Sequence, residues 1–268
     1  MISIDAILFF GLFNFISCSQ LGIISNLSLK DEIKFPKQDT IIQFKFNDNT
    51  AYIKFKGDPA VSPIVFISLH DDETTGQQVV YNYVKENNPA YIQIVNNKHR
   101  LINFTSLKRR YAFDPNRIFS KKGIRLSLGF YSSYSTMAAA RVEKFAALIL
   151  QQLSKAKTII AVHNNSNGKY SILSYLKGGK DYKNAQRVNK VLGSDPDNFF
   201  LTTSTQLFER LTAKNFNIVL QGNKHVFNDG SLSYYYRNSN RQYINIEAQE
   251  GHFSKQAEML HALMAVLQ

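Results

Sequence analysis

The sequence is short of several things, and each shortage narrows what the chain can be. Its 268 residues include one cysteine, which excludes a disulfide framework and any cysteine-based zinc module. Tryptophan is absent, and the six prolines and thirteen glycines form no linker, repeat or low-complexity tract. No apolar run reaches the roughly 20 residues that a membrane-spanning helix needs. Acids are also scarce: 20 Asp and Glu stand against 32 Lys and Arg, a formal charge of +12. What is there is ordinary core material, with 44% hydrophobic residues, twenty Phe and fourteen Tyr. That balance excludes a disordered or coiled-coil chain, and at this length about 75% of the unfolded surface can be buried without staples.

Residues 6–29 carry no charge, and 6–16 (AILFFGLFNFI) are nearly all apolar, a length suited to a signal-peptide h-region. Cys18 follows behind Phe15, Ile16 and Ser17, an order that resembles a bacterial lipoprotein processing site. The segment before the apolar run departs from that pattern, with Asp5 and no Lys or Arg. The plainer alternative is a buried helix with an incidental thiol. The expectation is an exported protein of the periplasm or cell envelope. Residues 1–18 would be its signal, a lipidated Cys18 its membrane attachment, and 19–268 one α/β domain.

Residues 40–46 and 51–56 alternate apolar and polar side chains around Asn47-Asp48-Asn49-Thr50, the pattern of a half-exposed hairpin. Residues 63–69 (PIVFISL) and 158–162 (TIIAV) are instead continuous apolar runs, as in strands covered on both faces. Further strands are expected at 91–95, 199–202, 217–221 and 243–247. Helices are expected at 75–86, from Ser135 or Thr136 to about 156, near 206–214 and at 255–267. Strands alternating with helices predict an α/β fold, a mixed and mainly parallel sheet flanked by helices. Ligands in such sheets bind beyond the carboxyl ends of the strands.

Both apolar runs end in histidine, at His70 and His163. Glu73 follows His70 by three residues, so one turn offers a nitrogen and a carboxylate. Two His and one Glu with an open fourth position is a catalytic zinc set. The bland alternatives are a polar pair in a loop for His70 and Glu73, and a core histidine satisfied by backbone for His163. A second motif runs Arg110-Tyr111-Ala112-Phe113-Asp114-Pro115-Asn116-Arg117, within a stretch, 98–125, holding nine Lys or Arg and one acid. Its Asp-Pro pair places Asn116 and Arg117 on a loop. The stretch reads either as a solvated basic face or as guanidinium groups that take a carboxylate-bearing substrate. In the third motif, Tyr243-Ile244-Asn245-Ile246-Glu247, a carboxylate sits on an apolar strand and needs a cation, metal or solvent cleft. Glu250 competes with Glu247 for any catalytic role. Three tyrosines, Tyr234, Tyr235 and Tyr236, are further candidates near a site, and His252 is more readily a cap or surface residue.

In this order the motifs resemble the zinc carboxypeptidase superfamily, and are especially similar to its aspartoacylase/succinylglutamate desuccinylase branch. The resemblance runs from about Pro63 to Glu247 and is carried by short islands. It implies a carboxypeptidase-like α/β/α fold and zinc held by His70, Glu73 and His163. It also implies that Arg110 polarises the scissile carbonyl, that Asn116 and Arg117 hold a substrate carboxylate, and that Glu247 is the general base. Two departures concern Pro115, where the branch commonly has Leu, and the Arg-Tyr spacing, one residue short, so that Arg109 competes with Arg110. Only 21 residues follow Glu247, which tilts the expectation toward a peptidase-like core.

The expected function is zinc-dependent hydrolysis of an amide bond next to a substrate carboxylate, on peptides that include cell-wall peptides. The alternative with the same chemistry is an N-acyl amino acid deacylase. One of a different class is a non-catalytic basic module for anionic polymers or surfaces. A peptide or acyl-amino-acid partner is expected, and nucleic acid is not.

Overall fold

A computed structural model describes residues 23–24, 40–222, 224 and 226–268. The expected signal segment, Cys18 and His225 lie outside the described residues. Among the described residues there are twelve strands: β1 (Ile23–Ile24), β2 (Ile41–Phe46), β3 (Asn49–Lys56), β4 (Ile64–Ser68), β5 (Ala90–Val95), β6 (Ile102–Ser106), β7 (Arg109–Phe113), β8 (Thr158–Asn165), β9 (Ala185–Asn189), β10 (Phe199–Thr202), β11 (Ile218–Gln221) and β12 (Gln242–Gln249). The helices are α1 (Thr74–Asn87), α2 (Lys121–Tyr131), α3 (Thr136–Gln152), α4 (Thr205–Ala213), α5 (Leu232–Tyr236) and α6 (Phe253–Leu267).

Ten strands form one sheet in the order β1-β2-β3-β5-β4-β8-β12-β10-β11-β9. Its middle, β5-β4-β8-β12, is parallel, and antiparallel pairings flank it at β3–β5 and β10–β12. The expected mixed, mainly parallel sheet with helices on both sides is what forms. The central strands are apolar throughout because both faces are covered. Val65 and Ile67 pack with α2 and α3 residues such as Ile124, Leu128, Val142 and Phe145, whereas Phe66 faces the other way. There it joins Val80, Phe208, Leu211, Met259 and Leu263 from α1, α4 and α6. Gly76 lets α1 lie close on the sheet, since a Cβ there would come 2.7 Å from Val162 Cγ1.

The strand order fixes where a ligand can sit. Strand β4 has β5 on one side and β8 on the other, so the chain departs in opposite directions from their carboxyl ends. A crevice opens at such a switch point. The basic stretch at 98–125 contains more regular structure than its charge suggested. It forms the separate β6–β7 hairpin, a 3-10 turn at Pro115–Arg117 and helix α2, whose first turn Ser120 caps by accepting from the Gly123 amide.

Candidate metal centre

Three elements bring the first motif together. His70 follows the end of β4, Glu73 immediately precedes α1, and His163 lies on β8, the neighbouring strand. Glu73 stands between the two imidazoles: its Oε1 is 2.8 Å from His70 Nδ1 and its Oε2 is 2.8 Å from His163 Nδ1. All three are buried, at 1%, 4% and 3% exposure. One ligand atom from each lies within 4.8 Å of the others. The structure thus unites the expected triplet rather than leaving a loop pair and a core histidine.

The remaining polar atoms around the triplet are also placed. His70 Nε2 donates to Asp114 Oδ1 at 2.7 Å, and that carboxylate also accepts the Asn116 amide, capping the 3-10 turn. With carboxylates at both ring nitrogens, His70 is doubly protonated. Burial disfavours that charge, but Glu73 and Asp114 more than offset it and push the imidazole up to about 9. Burial likewise opposes ionisation of Glu73, yet His70 and His163 hold its carboxyl well below the usual range. Asp114 stays ionised for the same reason, with burial overcome by His70. Sequence reasoning missed Asp114 as a partner; its only signal was a carboxylate two residues before Asn116.

Arg100, which sequence reasoning also missed, donates from Nη1 to Glu73 Oε1 at 2.7 Å. Its loop is tied down by Asp71, whose Oδ2 accepts the amides of Asn96 and Lys98 at 2.7 Å each. Arg110 and Arg109 are not brought here. They are exposed on β7, where alternation turns Tyr111 and Phe113 into the core, and Arg110 lines a different cleft beside Asp48 and His99. The geometry therefore replaces Arg110 with Arg100 as the guanidinium beside the triplet.

Glu247 on β12 is the register partner of His163 on β8, so the two side chains share one face of the sheet. Asn245 Nδ2 donates to Glu247 Oε1 at 2.9 Å. Burial raises the Glu247 carboxyl above its usual range, and the nearby Glu73 charge adds to the effect. Glu250 is engaged elsewhere, accepting from the hydroxyls of Thr74 and Thr75 at 2.9 Å each and so pinning the start of α1. His252 lies at the exposed start of α6.

Asn116 and Arg117 complete the wall. Asn116 Nδ2 lies 3.4 Å from His163 Nε2, and its Oδ1 accepts the Leu232 amide. Arg117 is half-buried, donates to the Asn116 carbonyl and stands 3.5 Å from the Asp229 carboxylate. Gly123 and Gly230 hold this wall together, because a Cβ on Gly123 would come 2.2 Å from Gly230 Cα. His70, Glu73, Arg100, Asn116, Arg117, His163 and Glu247 all line one cavity of about 580 Å³, within the usual range for small-ligand sites. The tyrosines in its wall are Tyr170, Tyr175 and Tyr243; Tyr236 is buried against Tyr243, and neither Tyr234 nor Tyr235 lines the cavity.

The residues fit a metal ion. Two imidazoles and one carboxylate converge with both Nδ1 atoms turned to the carboxylate, and a buried acid orients one ring from behind, as carboxylates do for metal-bound histidines.

No protein-family model matches the chain, and no curated protein sequence matches it. Solved structures do. The chain is similar to a metallopeptidase candidate from Shewanella denitrificans, with 11% identity, TM-score 0.43, and 84% of this chain and 82% of that one covered. A metallopeptidase candidate from Shewanella baltica gives 10% identity and TM-score 0.41, covering 84% and 86%. Succinylglutamate desuccinylase from Vibrio parahaemolyticus gives 10% identity and TM-score 0.39, covering 85% and 76%. At these scores the likeness is loose, and the functional reading rests on the site's own geometry.

Proposed function

We propose that the chain is a zinc-dependent hydrolase that cleaves an amide bond next to a substrate carboxylate. The observation that carries this reading is a single cavity in which His70, Glu73 and His163 converge while Glu247 and Arg100 stand beside them. His70, Glu73 and His163 would hold the ion. When bound, zinc supplies a Lewis acid that polarises a carbonyl and makes water more acidic.

The chain's own groups do the rest. Arg117 and Asn116 bind the substrate carboxylate, Arg117 exchanging its 3.5 Å pairing with Asp229 for a substrate anion. That contact sets which amide reaches the triplet. Glu247 takes the proton of the attacking water and returns it to the leaving nitrogen, while Asn245 steadies Oε1. A carboxyl raised by burial suits this, because it is a stronger base than an exposed one. Arg100 donates to the oxygen that becomes negative during the reaction.

Peptides with a free carboxyl terminus, cell-wall peptides among them, and N-acyl amino acids both meet these requirements, and the same residues would serve either. An exported location, with attachment through Cys18, is supported by the uncharged run at residues 6–29. The test is a panel of peptides and N-acyl amino acids assayed with zinc for the wild-type chain and Glu247→Gln. Turnover of any member that the substitution abolishes supports the reading. Full activity in Glu247→Gln removes Glu247 from the base role.

A further inference from the structure

Six of the large apolar side chains left exposed among the described residues lie between residues 107 and 137, on the β6–β7 turn, on α2, in the link to α3 and at the start of α3, with α2 packed against both β7 and α3. Leu107 tips the β6–β7 turn at 81% exposure, and Phe130, near the end of α2, is 82% exposed. Leu126, Tyr131, Tyr134 and Met137 accompany them. Two contacts link parts of this group. Ser106 Oγ approaches Met137 Sδ at 3.6 Å, joining the turn to the start of α3, and the rings of Phe130 and Tyr131 meet edge to face at 4.9 Å. The outer face of α2 carries Lys122, Leu126 and Phe130 at intervals of four, one stripe along the helix.

The exposed charges of these segments themselves are positive; the one acid bonded to the hairpin is Asp48 of the β2–β3 turn, which accepts the Thr105 amide. Lys108 and Arg109 flank Leu107, Lys122 and Arg125 stand beside Leu126, and all four are exposed. Between residues 98 and 142 the only acid is Asp114, which is buried against His70. Two cations cover aromatic rings, Arg125 over Tyr134 and Lys122 over Phe227, each at 4.5 Å. Phe227 itself lines the cavity that holds the candidate metal centre, so the cationic face extends to the cavity's edge.

We propose that this face docks on an anionic lipid surface, with Leu107 and Phe130 entering the headgroup–acyl boundary and Lys108, Arg109, Lys122 and Arg125 meeting lipid phosphates. Exposed aromatic and aliphatic side chains amid cations are what an interfacial contact uses. A polyanion alone would need the cations but gives no use for an exposed Leu107 and Phe130. A second copy of the chain would bring the same positive charges together. The docking does not depend on hydrolysis, so each can fail without the other.

The test is sedimentation of the full chain with vesicles of phosphatidylcholine, with and without about 30% phosphatidylglycerol. The variants are Leu107→Ser with Phe130→Ser, and Lys108→Glu with Arg109→Glu. All four positions are exposed, so circular dichroism and melting temperature should match the parent. The apolar run at residues 6–16 is common to every chain compared, so differences report this face. The anionic vesicles should bind the parent at least about tenfold better than neutral ones, and each double variant should lose about tenfold or more of that binding. Equal binding to both vesicle types overturns the proposal. So does parent-like binding by the Leu107/Phe130 variant, including the case in which only the charge variant weakens, since that pattern marks a general polyanion contact.

Discussion

Asp114 gives the sharpest prediction, because an isosteric change there leaves shape alone and removes one charge. In the folded chain its Oδ1 accepts from His70 Nε2 at 2.7 Å and from the Asn116 amide at 2.7 Å. Because both bonds end on the same oxygen, an Asn whose amide oxygen takes that place keeps them, and what is removed is the negative charge behind the ring. That charge helps to hold the imidazole's proton and raises its basicity as a metal ligand. Removing such an orienting carboxylate typically costs 10–100-fold in metal affinity, about 1.4–2.7 kcal/mol. Zinc affinity of Asp114→Asn, measured by competition with a chromophoric chelator, should fall by that factor with the far-ultraviolet dichroism unchanged. Saturating zinc should restore part of the activity. Affinity within twofold of wild type in a folded variant would refute that role for the Asp114 charge.

Further outcomes rest on the same geometry. Arg100→Ala should lower kcat by about 10²–10³-fold with zinc retained, whereas Arg110→Ala should change kcat and zinc binding by less than about twofold, both read from steady-state kinetics and metal analysis. Glu247→Gln should keep the metal and lose about 10²–10⁴ in kcat. Because burial raises the Glu247 carboxyl, the folded chain holds that proton more tightly than the unfolded one, so ionisation destabilises the fold as pH rises through the carboxylate range; the metal-free Gln variant should therefore melt higher than wild type at pH 7. His70, pushed up to about 9, carries its proton at pH 7 in the metal-free chain, so zinc binding should release about one proton, read by calorimetry in buffers of different ionisation heat. The same raised imidazole contributes stability that is present below its ordinary 6.5 and is lost as pH climbs through about 9, so the metal-free chain should melt lower at pH 9.5 than at pH 6.5. Gly123→Ala should destabilise by about 1–3 kcal/mol in urea, since the backbone of Gly230 and Arg117 cannot yield to a Cβ.

Much of the site was legible because buried parallel strands announce themselves. The continuous apolar runs before His70 and His163, and the alternation that isolates Glu247, required little beyond hydropathy. The structure differs there only in extent: β8 continues through His163 to Asn165, and the last helix starts at Phe253. The helix start at Ser135 was legible too, its hydroxyl accepting the Ala138 amide.

Arg110 misled for a physical reason. An arginine next to a tyrosine before Asp-Pro-Asn-Arg satisfies a motif, but on a short strand alternate residues face opposite ways. Tyr111 and Phe113 take the core face of β7, and Arg110 is turned out. Arg100 could not be found by spacing, because it reaches Glu73 from a loop between two strands that Asp71 ties down. Asp114 escaped because its role depends on a contact 44 residues away in sequence.

The central claim is that His70, Glu73 and His163 together grip one metal ion, and metal analysis of the purified full chain after zinc loading and gel filtration tests it most directly. One zinc per chain is predicted for the wild type and for Glu247→Gln, and none for folded Glu73→Ala and His163→Ala. A wild-type chain that emerges without metal, or a Glu73→Ala chain that keeps a full equivalent, would contradict it.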